Sequence, residues 1–178
     1  MAIPKVFYNT VKDLPFSNCS KCNRFLLDDS VEYMIEKVLI PNDVLYEFAI
    51  CGSCIKLLQQ KISKESLKNM QKFSEDELDN RIQKIDHLFN EDYDGIKREL
   101  TIQNPELSYE NCNIMAFFKG QNMVDDYPAV CVSTQALENM QEVLSKKTKE
   151  SFDDFMDFIG DVPPGLEELF KTRKPVFV

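Results

Sequence analysis

Two segments near the N-terminus alternate apolar and polar residues in the manner of β-strands. In residues 31–39 the apolar side chains fall on one face and two glutamates fall on the other. The apolar set is Val31, Tyr33, Ile35 and Leu39, and the glutamates are Glu32 and Glu36. After the turn-forming sequence Pro41-Asn42-Asp43, the alternation resumes with Val44, Tyr46, Phe48 and Ile50. A period of two on both sides of a tight turn predicts a β-hairpin.

Helical spacing replaces this alternation after the hairpin. From Cys54 onward, Ile55, Leu58 and Ile62 fall on one stripe, which predicts a helix. Ser74 and Glu77 then match a capping box, and the spacing after them predicts a second helix from about 75 to 89. The apolar stripe of that helix consists of Leu78, Ile82, Ile85 and Leu88.

The C-terminal part predicts strands followed by helices. Residues 113–118 and 129–132 are apolar segments separated by a turn-rich stretch, and they are typical of a strand pair. Ser133 or Thr134 is the expected cap of a helix whose apolar face is Leu137, Met140, Val143 and Leu144. A further helix carries Phe152, Phe155, Met156 and Ile159 on one face.

These elements predict an α+β protein. We expect a hairpin-and-helix unit over 1–73, a helical connector over 74–107 and an α+β unit over 108–178. The polar stretch from Asn90 to Pro105 is the predicted seam between units. The alternative is that the three segments pack into one compact body.

The composition excludes several classes of protein. With 178 residues, 43% hydrophobic and 29% charged, the chain can bury a core. The sequence predicts neither a signal peptide nor a membrane span, so we expect a cytoplasmic protein. The net charge is −9 and no region is basic, which disfavours DNA or RNA as the partner.

Four of the six cysteines form two Cys-x-x-Cys pairs, Cys19 with Cys22 and Cys51 with Cys54, on either side of the hairpin. A loop of two residues lets both sulfurs of a pair face one ion at about 2.3 Å, and two pairs complete a tetrahedral shell. The spacing therefore predicts a closed, structural Zn²⁺ site. Cys112 and Cys131 lie in apolar segments, and we expect them to be buried thiols without a chemical role.

The order of these features, two cysteines, a hairpin, two cysteines and a helix, resembles the treble-clef class of four-cysteine zinc fingers over residues 15–65. The resemblance implies the same four ligands and no particular activity, since treble clefs serve many functions. The whole chain also looks like small uncharacterised bacterial proteins, a likeness that implies no activity.

Other sites are possible on the sequence alone. Cys51 and Cys54, between a strand and a helix, could form a thioredoxin-like redox pair, but the other cysteine pair argues against it. His87 is expected on the exposed side of its helix, which disfavours catalysis. The loop after Asn90 imitates a calcium site, yet Thr101 stands where a glutamate is needed, so Asx turns explain it better. Asp153, Asp154, Asp157 and Asp161 form an acidic row that is most simply a solvated face.

By elimination, the sequence favours a zinc-stabilised interaction or regulatory protein and disfavours an enzyme. The expected partner is another protein or a second copy of the chain. A hairpin face that includes Tyr33 or Tyr46 is the predicted contact surface. Two alternatives stay open: a nucleic-acid-binding zinc finger, and a thiol enzyme that uses Cys51 and Cys54.

Overall fold

The fold is built around a six-stranded antiparallel sheet. A computed structural model describes residues 2–41, 43–75, 82–105, 109 and 111–159, and for residues 156–159 it describes the backbone only. The strands are β1 (Glu32–Ile40), β2 (Asp43–Cys51), β3 (Ile82–Lys84), β4 (Cys112–Lys119), β5 (Asn122–Met123) and β6 (Val130–Ser133). They are ordered β2-β1-β4-β6-β3, and β5 pairs with β4. All three segments expected from the sequence contribute strands to this sheet.

Five α-helices accompany the sheet within the described residues. They are α1 (Gly52–Gln59), α2 (Lys64–Phe73), α3 (Tyr93–Gln103), α4 (Thr134–Glu142) and α5 (Lys146–Ile159). Their caps follow ordinary helix chemistry: the side chains of Ser63, Asp92 and Ser133 each accept a hydrogen bond from a backbone N–H in the first turn. The predicted α+β class is confirmed. None of the described helices has the length and apolarity that crossing a membrane requires.

The predicted hairpin is confirmed and forms one side of the sheet. In the β1–β2 ladder Tyr33 pairs with Cys51 and Lys37 pairs with Glu47, with an irregularity after Val38. The ladder therefore returns the chain to Cys51 directly beside the start of β1.

Pairing with β4 on its other edge makes β1 a central strand. Seven consecutive residues of β1 are buried, and these include two charged ones, Glu36 and Lys37. Tyr33 is only 1% exposed, its ring stacks on Phe118, and its hydroxyl donates to the Gly120 carbonyl at 2.8 Å. The expectation that Tyr33 belongs to a contact surface is wrong, because its side chain is packed inside the protein against Phe118.

The prediction of a helix over 75–89 is wrong for residues 82–89, which the structure describes. Residues 82–84 form β3, which pairs Ile82 with Val132 of β6, and Asp86–Leu88 form a 3-10 turn. Residues 76–81 lie outside the described part of the chain. Ile82 packs beside Phe73 and Val132 in a small cluster, whereas Ile85 and Leu88 enter the main core. Tertiary pairing therefore overrides a spacing that a helix could also have satisfied.

The C-terminal predictions are confirmed over the described residues. β4 and β6 are neighbours, Ser133 caps α4, and the α4 side chains Leu137 and Met140 are buried. Phe152 and Phe155 of α5 are also buried in the main core. The side chains of Met156 and Ile159 lie outside the description.

Candidate metal centre

The first cysteine pair lies in a tight turn before the hairpin. The Cys19 amide donates to the Arg24 carbonyl at 2.8 Å, and the Asn23 amide donates to the Cys19 carbonyl at 2.9 Å. Asn23 has a φ of 59°, a left-handed conformation that asparagine tolerates better than most residues. The turn thereby folds Cys19 and Cys22 back toward each other.

The second pair occupies the junction between β2 and α1. Cys51 ends the strand and is the N-cap residue of the helix, and Cys54 lies in the first helical turn. The two pairs are joined through Ser20, whose amide donates to the Ala49 carbonyl at 2.8 Å and whose hydroxyl accepts from the Ala49 amide at 3.1 Å. These bonds fix the first turn against the end of β2.

The fold brings all four sulfurs together. Every pair of the four Sγ atoms lies within 4.8 Å, with Cys22 and Cys51 at 3.6 Å and Cys19 and Cys54 at 4.0 Å. A tetrahedral site with Zn–S bonds of about 2.3 Å requires S···S distances of about 3.8 Å. The cluster is therefore compatible with a metal site. Each of these two short contacts joins a cysteine of the first pair to a cysteine of the second pair.

Burial governs the electrostatics of the cluster. Cys19, Cys51 and Cys54 are buried and Cys22 is exposed. Burial raises the pKa of Cys51 and of Cys54. Burial also acts on Cys22, but hydrogen bonds from the Arg24 backbone and from the other cysteines lower its pKa overall. The Cys51 amide donates to the Cys19 sulfur at 3.4 Å. A cation would stabilise thiolates that this buried cluster otherwise disfavours.

The other cysteines take no part in this cluster. Cys112 on β4 and Cys131 on β6 are both 0% exposed. Burial, together with a hydrogen bond to Cys112, raises the pKa of Cys131 well above its usual range. The interpretation of both residues as buried thiols agrees with this environment.

Among the described residues, none of the remaining candidates from the sequence joins the group of four sulfurs. His87 is exposed on the 3-10 turn, with its Nε2 atom 3.4 Å from Nε2 of Gln103. In the calcium-like loop, Asp92 caps α3 by accepting from the Gly95 amide at 2.7 Å, as Asx-turn chemistry predicts. In the acidic row Asp154 is exposed, whereas the side chains of Asp157 and Asp161 lie outside the described residues.

A buried ion pair on the sheet was missed from the sequence. Lys37 Nζ lies 2.9 Å from Glu47 Oε2, with side-chain exposures of 0% and 11%. Lys37 also donates to the Tyr93 hydroxyl at 2.8 Å. A lysine inside the apolar alternation of residues 31–39 was the available signal, because it falls on the same face as Tyr33 and Ile35.

A second buried ionisable side chain lies on the opposite face of β1. Glu36 is 0% exposed, and its Oε1 atom accepts from Asn113 Nδ2 at 2.7 Å. Among the described residues Oε2 has no hydrogen-bond partner. Burial raises the pKa of Glu36 to about 8, although the bond from Asn113 opposes the shift. This carboxyl is therefore protonated at neutral pH.

The function of this chain has to be inferred from these features of its own. No family model, no curated protein and no solved structure matches it. The strongest of the features is the four-cysteine cluster, which fits a metal ion in both number and spacing of ligands.

Proposed function

We propose that Cys19, Cys22, Cys51 and Cys54 bind one structural Zn²⁺ ion and that the protein is a zinc-stabilised interaction module. The observation that carries the proposal is the convergence of four sulfurs within 4.8 Å from two separate chain segments. Soft thiolates in a tetrahedral arrangement favour zinc over the harder divalent cations.

Four cysteine ligands leave no coordination position for a water molecule or a substrate. The ion would therefore contribute to folding and not to Lewis-acid chemistry. It would hold the turn of residues 19–24 against the junction of β2 and α1, which is the arrangement that the resemblance to treble clefs implies. α1 in turn contacts β1, β2 and α5, so the ion would stabilise this corner of the sheet.

The surface around the cluster supports the interaction part of the proposal. Phe25, which follows the first turn, is 55% exposed, and Leu57 on α1 is 56% exposed. Each of them follows a cysteine of the cluster by three residues, and a contiguous apolar patch formed by the two would be typical of a contact surface. The net charge of −9 favours a partner with a basic face over a nucleic acid. We therefore propose a protein partner or a second copy of the chain.

Metal analysis of point variants tests the zinc site. The wild-type protein should carry one zinc per chain, and Co²⁺ in its place should give the absorption of a tetrahedral thiolate complex. Cys22→Ser should lose the metal, although Cys22 is exposed and contributes little packing. Cys131→Ala is the matched control: it should lower stability through packing yet keep the zinc, because Cys131 is buried elsewhere.

Two results would overturn the zinc proposal. One is wild-type protein purified with zinc in the medium but without bound metal, and the other is full zinc retention by Cys22→Ser.

The rate of alkylation distinguishes the redox alternative from the zinc site, because zinc-bound thiolates should react slowly and a redox pair quickly. For the interaction surface, self-association in analytical ultracentrifugation, or the affinity for a partner isolated with the wild-type chain as bait, should be at least about tenfold weaker for Phe25→Ser/Leu57→Ser than for wild type. Equal affinity would reject this surface.

A further inference from the structure

A cavity of about 390 Å³ lies between two loops on the side of the molecule that carries Lys37. One wall is formed by residues 5–13 and the other by residues 89–93 at the start of α3. This volume lies within the range of small-molecule sites in proteins. The four cysteines do not line it, so the cavity is separate from the candidate metal centre.

The buried ion pair holds the first wall in place. Lys37 donates to the Tyr8 carbonyl and, at 3.3 Å, to the Thr10 hydroxyl. Glu47 accepts from the Thr10 amide at 2.7 Å, from the Thr10 hydroxyl at 2.8 Å and from the Asn9 side chain at 2.8 Å. The buried Lys37 and the half-buried Glu47 thus fix a segment without strands or α-helices at three successive residues.

The same lysine holds the second wall. Lys37 donates to the Tyr93 hydroxyl at 2.8 Å, and that hydroxyl donates in turn to the Val6 carbonyl at 3.2 Å. Tyr93 therefore connects the start of α3 to the N-terminal segment. With both walls fixed before any ligand arrives, little ordering entropy remains to be lost on binding.

The lining combines aromatic rings with negative charge. Tyr8, Phe89 and Tyr93 are half-buried, packed against the core on one side, and they also line the cavity. The charged lining residues are the carboxylates of Asp13, Glu91 and Asp92 and the single ammonium of Lys5. Lys5 is paired with Asp13 at 3.2 Å, and Lys37 below is neutralised by Glu47. The residues that line the cavity therefore carry more carboxylates than ammonium groups.

We propose that this cavity binds a small organic cation through its alkylammonium group. Aromatic rings attract a cation through their quadrupole, and carboxylates add a direct charge interaction. The Tyr93 ring already has the Lys37 ammonium 5.4 Å from its centroid, so the proposal relies on Tyr8 and Phe89. An anion would meet net negative charge at the same place. Unlike a metal ion, an alkylammonium group also carries alkyl groups that can pack against the aromatic part of the lining.

A binding experiment with a charged probe and its neutral isostere tests this proposal. The zinc-loaded full chain is titrated with choline and, separately, with 3,3-dimethyl-1-butanol, while amide ¹H–¹⁵N signals are recorded. Choline should shift the signals of residues 5–13 and 89–93, and the alcohol should bind at least about tenfold more weakly. A trimethyl-lysine peptide distinguishes a protein-borne cation from a free one, since it should bind more tightly than choline only in the first case.

Two variants assign the binding to the lining. Glu91→Gln removes one charge at constant size, and Tyr8→Leu removes one ring while its carbonyl still accepts from Lys37. Each should weaken choline binding about tenfold. Glu65→Gln on the exposed side of α2 is the control and should bind like wild type. The proposal is overturned if choline causes no shifts, if the alcohol binds equally well, or if folded Glu91→Gln and Tyr8→Leu keep full affinity.

Discussion

Glu36 at the centre of the sheet makes stability depend on pH, and the substitution Glu36→Gln should remove that dependence. The carboxyl is fully buried, accepts one hydrogen bond from Asn113, and has no partner for Oε2 among the described residues. Glutamine has the same shape as the protonated acid and can still accept the bond from Asn113. The substitution therefore removes a titration while it preserves the packing.

The direction and the size of the change in unfolding free energy with pH follow from the pKa values of this carboxyl in the unfolded and folded states. In the unfolded chain the pKa of Glu36 is 4.5, and in the folded protein it is about 8. Between these values the folded state holds a proton that the unfolded state has released. The stability associated with Glu36 is therefore complete below pH 4.5, falls by about 1.4 kcal/mol per pH unit, and levels off above pH 8. The total loss is at most about 5 kcal/mol.

Urea unfolding from pH 5 to pH 9 at constant zinc measures this effect. Glu36→Gln should differ from wild type by no more than about 1 kcal/mol near pH 5 and should exceed it by several kcal/mol near pH 8.5. Taking the difference between the two proteins cancels the proton release that accompanies metal binding. Glu32→Gln, the same change at an exposed position of β1, should follow wild type at every pH. Parallel curves for wild type and Glu36→Gln would refute the reasoning.

Two further substitutions test the buried ion pair and a backbone turn. Lys37→Met should cost about 2 kcal/mol because it leaves the half-buried Glu47 carboxylate without its counter-charge, and adding Glu47→Gln should recover part of that cost. A denaturation double-mutant cycle checks this, and additive costs would contradict it. Gly120→Ala should lower stability by more than about 1 kcal/mol, because Gly120 has a φ of +55° and a Cβ would lie 2.8 Å from the Asp29 Cα. Thermal unfolding measures the loss, and Gly52→Ala, whose Cβ would meet only ordinary contacts, should show little.

The parts of the fold that follow from the sequence are those with short-range causes. The hairpin has its own alternation and turn, α1 and α4 have their own apolar stripes, and Ser133 is a cap that its neighbours alone explain. The prediction of a helix over 75–89 was wrong because a long-range contact decides the structure there. Ile82 has helical spacing to its neighbours, but its position is decided by Val132, which is 50 residues later in the sequence.

The cysteine cluster follows from short-range causes. The buried residues Glu36 and Lys37 and the cavity depend instead on contacts between distant segments. Each Cys-x-x-Cys pair is a local turn, so its spacing alone predicts sulfurs that face one point, and the hairpin between the pairs brings them within 4.8 Å. The burial of Glu36, by contrast, depends on β4, whose Asn113 side chain lies against it, and the burial of Lys37 depends on the N-terminal segment and α3. The cavity depends on Lys37 and Glu47 holding an N-terminal segment against α3.

The sequence by itself thus determined the class of fold, the hairpin and the four cysteines of the candidate metal centre. These features depend on spacing within a few residues, where backbone geometry leaves few choices. Only the tertiary structure decided which strand became central, which charges were buried, and where a cavity opened. Those outcomes depend on pairing between distant segments, in which the gain from burying apolar surface outweighs local preference and takes two charged residues of β1 into the interior.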